Sequence, residues 1–168
     1  MSLVLALSLF SSPELQAFAA ALDGAWFGEL EYRDYQSDAR ETIPHLRRVR
    51  VSPNLAYATM ELAYADPGRV VYDGALVGFR SGAVSIASIG KDGVDRAELS
   101  VTRIERLADG FRLVLSARDV DDDAPADVRY EWVLRGDRLK MTKSVRPAGT
   151  DQPFRFRNEH RLHREVQR

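Results

Sequence analysis

Cysteine is missing from all 168 residues. That excludes disulfides, thiolate-held zinc and thiol catalysis. An excess of one charge is missing too: Lys and Arg number 24 against 25 Asp and Glu, for a net charge of −1. No global field therefore draws the chain to nucleic acid or an anionic membrane. Hydrophobic runs are short. The apolar stretch Leu3 to Phe10 falls far below the length needed to span a bilayer, so no transmembrane helix is expected. No P-loop, dinucleotide fingerprint, zinc motif or Ser-His-Asp spacing occurs.

What is present is the composition of a soluble globular domain, with 45% hydrophobic and 29% charged residues. Leu3 to Phe10, followed by Ala17-Phe18-Ala19, has the look of a signal segment without its basic start. It reads either as a signal remnant or as a segment packed on the domain. An exported protein, periplasmic or secreted rather than cytoplasmic, is the favoured expectation. Two regions result: an apolar segment and helix over 1–23, and a single β-barrel over 24–168.

The helix has a defined start. Ser12 can cap it, Pro13 suits the first helical position, and Glu14 favours the positive end. Leu15, Phe18, Ala19 and Leu22 recur at helical spacing, and Gly24 ends the pattern. From there the period is two. Trp26, Gly28, Leu30 and Tyr32 form one face. Later inner sets are Ala56, Ala58, Met60, Leu62 and Tyr64; Phe111, Leu113, Leu115 and Ala117; Val128, Tyr130, Trp132 and Leu134; Leu139, Met141, Lys143 and Val145; and Phe154, Phe156, Asn158, His160 and Leu162. Pro44 predicts an edge or a bulge in the second strand. Asp119 to Asp127 reads as an acidic, solvated loop. About eight to ten strands joined by short turns predict an all-β, antiparallel up-and-down barrel, because a sheet of that size curls closed and so removes its exposed edges.

Gly24-Ala25-Trp26, a preceding helix and an arginine-rich last strand resemble the calycin superfamily, and within it lipocalin-like bacterial barrels of unassigned function. The resemblance implies that Arg157, Arg161 or Arg164 crosses the Trp26 ring at one barrel end. It also implies a lumen that holds a small, partly apolar ligand.

On the inward faces, Tyr32, Met60, Tyr130, Lys143 and His160 are the candidate ligand-binding residues. A lysine or histidine kept dry and unpartnered is costly, so a wet pocket or an anionic group is expected beside Lys143 and His160. An enzymatic alternative has Asp34, Lys143 and His160 acting on a bound substrate. A third reading is a filled barrel that binds another protein. His160 as a haem ligand, as in nitrobindin-like barrels, is disfavoured by the lack of that group's extra glycine around Gly28-Glu29-Leu30, so no cofactor and no metal are expected. Glu29, Glu31 and Asp121 to Asp123 read as solvated. Arg155, Arg157, Arg161 and His163 read as an outer stripe, with Arg47, Arg48 and Arg50 crowding the second strand. Without a net basic surface or stacking aromatics this is not a nucleic-acid site. The expected partner is a small apolar or amphipathic molecule; oligomeric state is open.

Overall fold

A computed structural model describes residues 12–91 and 93–165. The apolar run Leu3 to Phe10, and with it the question of a signal remnant, lies outside the described residues. The helix is α1 (Pro13–Leu22). Ten strands follow: β1 (Gly24–Arg33), β2 (Arg40–Val51), β3 (Tyr57–Asp66), β4 (Arg69–Arg80), β5 (Ala83–Gly90), β6 (Gly93–Leu107), β7 (Gly110–Asp121), β8 (Ala124–Arg135), β9 (Arg138–Pro147) and β10 (Arg155–Arg164). Each is antiparallel to its neighbours in sequence, and β1 pairs with β10, so the meander closes into an all-β antiparallel barrel. Among the described residues no helix is long and apolar enough to cross a membrane.

The helix covers one end of the barrel. The Ser12 hydroxyl accepts from the Leu15 amide at 3.2 Å and caps it. Leu15, Phe18, Ala19 and Leu22, one face at helical spacing, are buried against the lumen side of the sheet. Phe18 lies edge-on to Phe111 (6.2 Å) and beside Trp132 (6.1 Å). Trp26 is fully buried and donates its indole N–H to the Leu22 carbonyl at 2.9 Å. The guanidinium of Arg164 lies 4.2 Å over the Trp26 ring and donates to the carbonyls of Ala21 (2.6 Å) and Asp23. One arginine thus stacks on the indole and satisfies carbonyls at the helix C-terminus that would otherwise be orphaned. Of the three arginines suggested by the sequence, Arg164 takes this place.

Strand alternation sets which side chains enter the interior. Leu113, Leu115, Trp132, Leu139, Met141 and Leu162 share one core, against which Tyr130 packs. The first part of β10 departs from this expectation. A bulge between Phe156 and Asn158 inserts Arg157, so Phe156 pairs with Ser144 while Asn158 pairs with Lys143. The extra residue reverses every side chain before it. Phe156 stays outside under the Arg40 guanidinium (4.3 Å), Phe154 sits between Arg129 and Arg146 (4.7 Å each), and Arg157 turns in and is buried.

The expectation for Pro44 is met by a local edge: the β2–β3 ladder ends at His45↔Tyr64, so Pro44 lies one residue past the last pair, on a stretch paired to β1 alone, and its missing N–H leaves no gap in that ladder. Another expectation is corrected. Asp119 to Asp127 is not an open loop. β7 and β8 pair up to Asp121↔Ala124, and Asp122 and Asp123 alone make the turn, both at positive φ (53° and 56°) as a type I′ hairpin requires.

The end seal should dominate stability. Trp26→Ala removes a fully buried ring and the platform for Arg164, and we expect a loss of about 3–5 kcal/mol in urea unfolding. A loss below about 1 kcal/mol would show that the helix end collapses around the gap and that the seal is dispensable.

Candidate functional site

The opposite end is half closed. There Asp121, largely buried at the end of β7, accepts from the Tyr35 hydroxyl (2.9 Å) and pairs with Arg157 Nε (3.4 Å) and Lys143 Nζ (3.5 Å). The Arg157 guanidinium lies 3.2 Å from the Tyr35 ring centroid and also donates to the Arg33 carbonyl. The bulge in β10 is what brings Arg157 inward to this group. One carboxylate, two cations and a phenol thus plug the side of the barrel formed by β1, β7, β9 and β10.

The remaining side is open. A cavity of about 520 Å³ enters beside the tip of the β5–β6 hairpin, past Val71, Asp73, Ser88, Ile89, Val94 and Asp95, and reaches a floor at Arg47, Trp132, Met141 and His160. Its walls are mostly apolar: Met60, Leu62, Ala75, Val77 and Ile86, with Tyr64, Tyr130 and Asn158 adding polar groups. That volume suits one small organic molecule.

At the floor, β2 points His45 and Arg47 inward, in line with Val49. Both are buried. The His45 ring stacks on Tyr64 (centroids 4.4 Å, 18° between planes) and lies 4.8 Å from the His160 ring. His45 Nδ1 lies 3.2 Å from the Ala63 carbonyl, which can only accept, so Nδ1 carries the proton. Burial first, and then the Arg47 charge, pull the His45 pKa down to about 3. The same causes, with His45 added, hold His160 well below the ordinary imidazole range. Both rings are neutral at pH 7. Burial also draws Arg47 below the usual guanidinium range, opposed by its hydrogen bond to Tyr64, yet a guanidinium stays protonated at neutral pH. Beyond Tyr64, Arg47 reaches the Met141 sulfur, a weak acceptor. Among the described residues no carboxylate forms an ion pair with it. Arg47 Nε, His45 Nε2 and His160 Nδ1 are buried without a hydrogen-bond partner. Higher up, burial and then the charges of Asp119, Asp121 and Asp95 push the Tyr130 phenol up to about 12, so it is a neutral donor.

Of the five residues expected to line one cavity, the structure brings Met60, Tyr130 and His160 together there. Tyr32 and Lys143 are not among its lining residues. Lys143 does point inward, but its ammonium goes to Asp121 in the plug rather than to a ligand space. Tyr32 follows Trp26, Gly28 and Leu30 on the inner face of β1 and pairs with Glu41 and Asn158. The triad Asp34, Lys143 and His160 is not assembled. The Asp34 carboxylate accepts from Gln36 N, Ser37 N and the Ser37 hydroxyl in the exposed β1–β2 turn, Lys143 is held by Asp121, and His160 packs on His45.

The sequence reading also missed Arg47, which it placed with Arg48 and Arg50 outside. Period two assigns it inward with His45 and Val49; three neighbouring arginines obscured that signal. The outer face does carry the expected cross-strand pairing: Arg161 meets Glu31 (2.8 Å) and Glu29 (3.3 Å) on β1, and Glu159 (3.2 Å) on its own strand. Among the described residues no three His, Asp or Glu side chains are grouped to hold a metal.

No family model and no curated protein matches this sequence. A solved structure does. The crystal structure of Rv2717c from M. tuberculosis aligns with a TM-score of 0.63 over 93% of this chain and 99% of its own, at 18% identity. At that identity the likeness concerns the fold.

The neutral histidines set a pH dependence. Their folded pKa values lie below the unfolded 6.5, so the unfolded chain takes up protons first. The stability they hold is fully present above pH 6.5 and is lost as pH falls from 6.5 toward 3. Between pH 7 and 5 this costs about 2 kcal/mol for His45, and His160 adds to it in the same direction. His45→Gln, which cannot titrate, should show a visibly shallower loss in urea unfolding over that range. Equal slopes for parent and variant would mean that His45 is charged in the folded barrel.

Proposed function

We propose that this is a lipocalin-like carrier that binds one small, partly apolar molecule in the lumen. The observation that carries the reading is the cavity itself. It opens at one end of a closed barrel, has mostly apolar walls, and carries a guanidinium and an imidazole at its floor. Met60, Tyr130 and His160 are ligand contacts in this reading, joined by Arg47, Trp132 and Met141. Two methionines, Met60 in the wall and Met141 at the floor, suit a site that adapts to its occupant. Tyr32 and Lys143 act behind it, one on the inner face of β1 and one in the plug. An enzyme built on Asp34, Lys143 and His160 is the weaker reading, because each of the three already has its own partner elsewhere. A filled barrel serving only as an interaction surface sits poorly with an open space of about 520 Å³.

A neutral fluorescent probe tests this without knowledge of the natural ligand. N-phenyl-1-naphthylamine should brighten on adding the protein and bind with one-to-one stoichiometry. Ala75 lines the cavity, so Ala75→Phe should fill it and weaken binding at least tenfold, on the scale of about 1.4 kcal/mol, while the circular dichroism of the barrel is retained. Unchanged affinity in the variant would put the probe outside the lumen and remove the reading.

A further inference from the structure

Among the described residues, the charge at the floor of the cavity has no countercharge. Arg47 is 5% exposed, its Nε has no hydrogen-bond partner, and the groups its guanidinium meets, the Tyr64 phenol and the Met141 sulfur, are both neutral. A guanidinium removed from water needs an anion beside it. Neighbouring groups cannot supply one, since His45 and His160 are neutral rings whose free nitrogens are also unpartnered. We propose, resting on the lumen-binding reading above, that the ligand is an amphipathic monocarboxylate whose head pairs with Arg47 and accepts from His160 or Tyr64.

The chemistry of the cavity selects this class. One guanidinium matches one negative charge, and its planar fork suits the two oxygens of a carboxylate. A neutral His160 can place its proton on Nδ1 and donate to the same head. Orientation follows from the other charges that line the space. Asp73, Lys91 and Asp95 stand toward the mouth and leave it net negative, so an anion is held less well there than at the floor. The apolar chain then runs along Met60, Val77 and Ile86 toward the opening.

Titration calorimetry with three ten-carbon probes at pH 7 tests the head. Decanoate should bind at least tenfold more tightly than 1-decanol, and monodecyl phosphate more weakly than decanoate. Arg47→Met should make decanoate and decanol equal and should raise the melting temperature of the free protein by removing an unpaired buried charge. Should that variant misfold, Tyr64→Phe should narrow the decanoate preference, and the wild-type series decides by itself. Decanol bound as tightly as decanoate would overturn the anionic head while leaving a lumen ligand in place. Tighter monodecyl phosphate would overturn the carboxylate. No binding by any probe, together with no lumen binding of the neutral fluorescent dye, would overturn both readings.

Discussion

Closure of the barrel depends on Trp26, where the first strand meets the last. An indole fully removed from water can be kept at a barrel end only if something covers it, and the cover comes from both termini of the domain. The Leu22 carbonyl of helix α1 takes the indole N–H at the ring edge, and Arg164 crosses from β10 to lie over the ring face. The same guanidinium takes up carbonyls at the helix end, so helix docking and ring closure are one event. Gly28, two residues on, allows the close approach: a β-carbon there would run into the carbonyl of Arg161 on β10. With this end sealed, any route into the lumen must lie at the other.

That other end is divided by chemistry rather than by length of chain. Tyr35, Arg157, Asp121 and Lys143 satisfy one another on one side, which leaves the β3–β4 and β5–β6 hairpins to frame the opening. The cavity is therefore bounded by two polar groups of opposite logic. The plug is nearly self-sufficient: its cations have a carboxylate. The floor is not, because Arg47 has none among the described residues. A folded protein that keeps such a residue gives up stability there, and that pattern is characteristic of binding sites whose missing partner arrives with the ligand.

Much of the architecture was legible because it depends on local period. Ser12-Pro13-Glu14 and the spacing of Leu15, Phe18 and Leu22 specify the helix; alternation specifies the inner faces of most strands; Gly24-Ala25-Trp26 marks the seal. Errors arose where a single residue changed the count. The bulge at Arg157 has no composition signal, yet it sent Phe154 and Phe156 outside and brought a cation in. The Asp122-Asp123 turn needs positive φ at two non-glycine residues, which the sequence alone does not announce. The candidate site was legible only in part. Met60, Tyr130 and His160 follow from alternation, but Lys143 is claimed by Asp121, a residue 22 positions away whose approach is set by the closed sheet. Whether side chains fill a lumen depends on the sum of their volumes around the ring, and that sum cannot be read strand by strand.

The central claim is that a ligand enters the lumen and reaches its floor. Methyl-labelled methionine gives a direct reading, since Met60 lies in the wall and Met141 at the floor beside Arg47. On titration with decanoate in a carbon–proton correlation spectrum, both methyl resonances should move together and saturate at one equivalent. Resonances of Met60 and Met141 that stay in place while the protein binds decanoate would put the molecule on the outer surface and contradict the account.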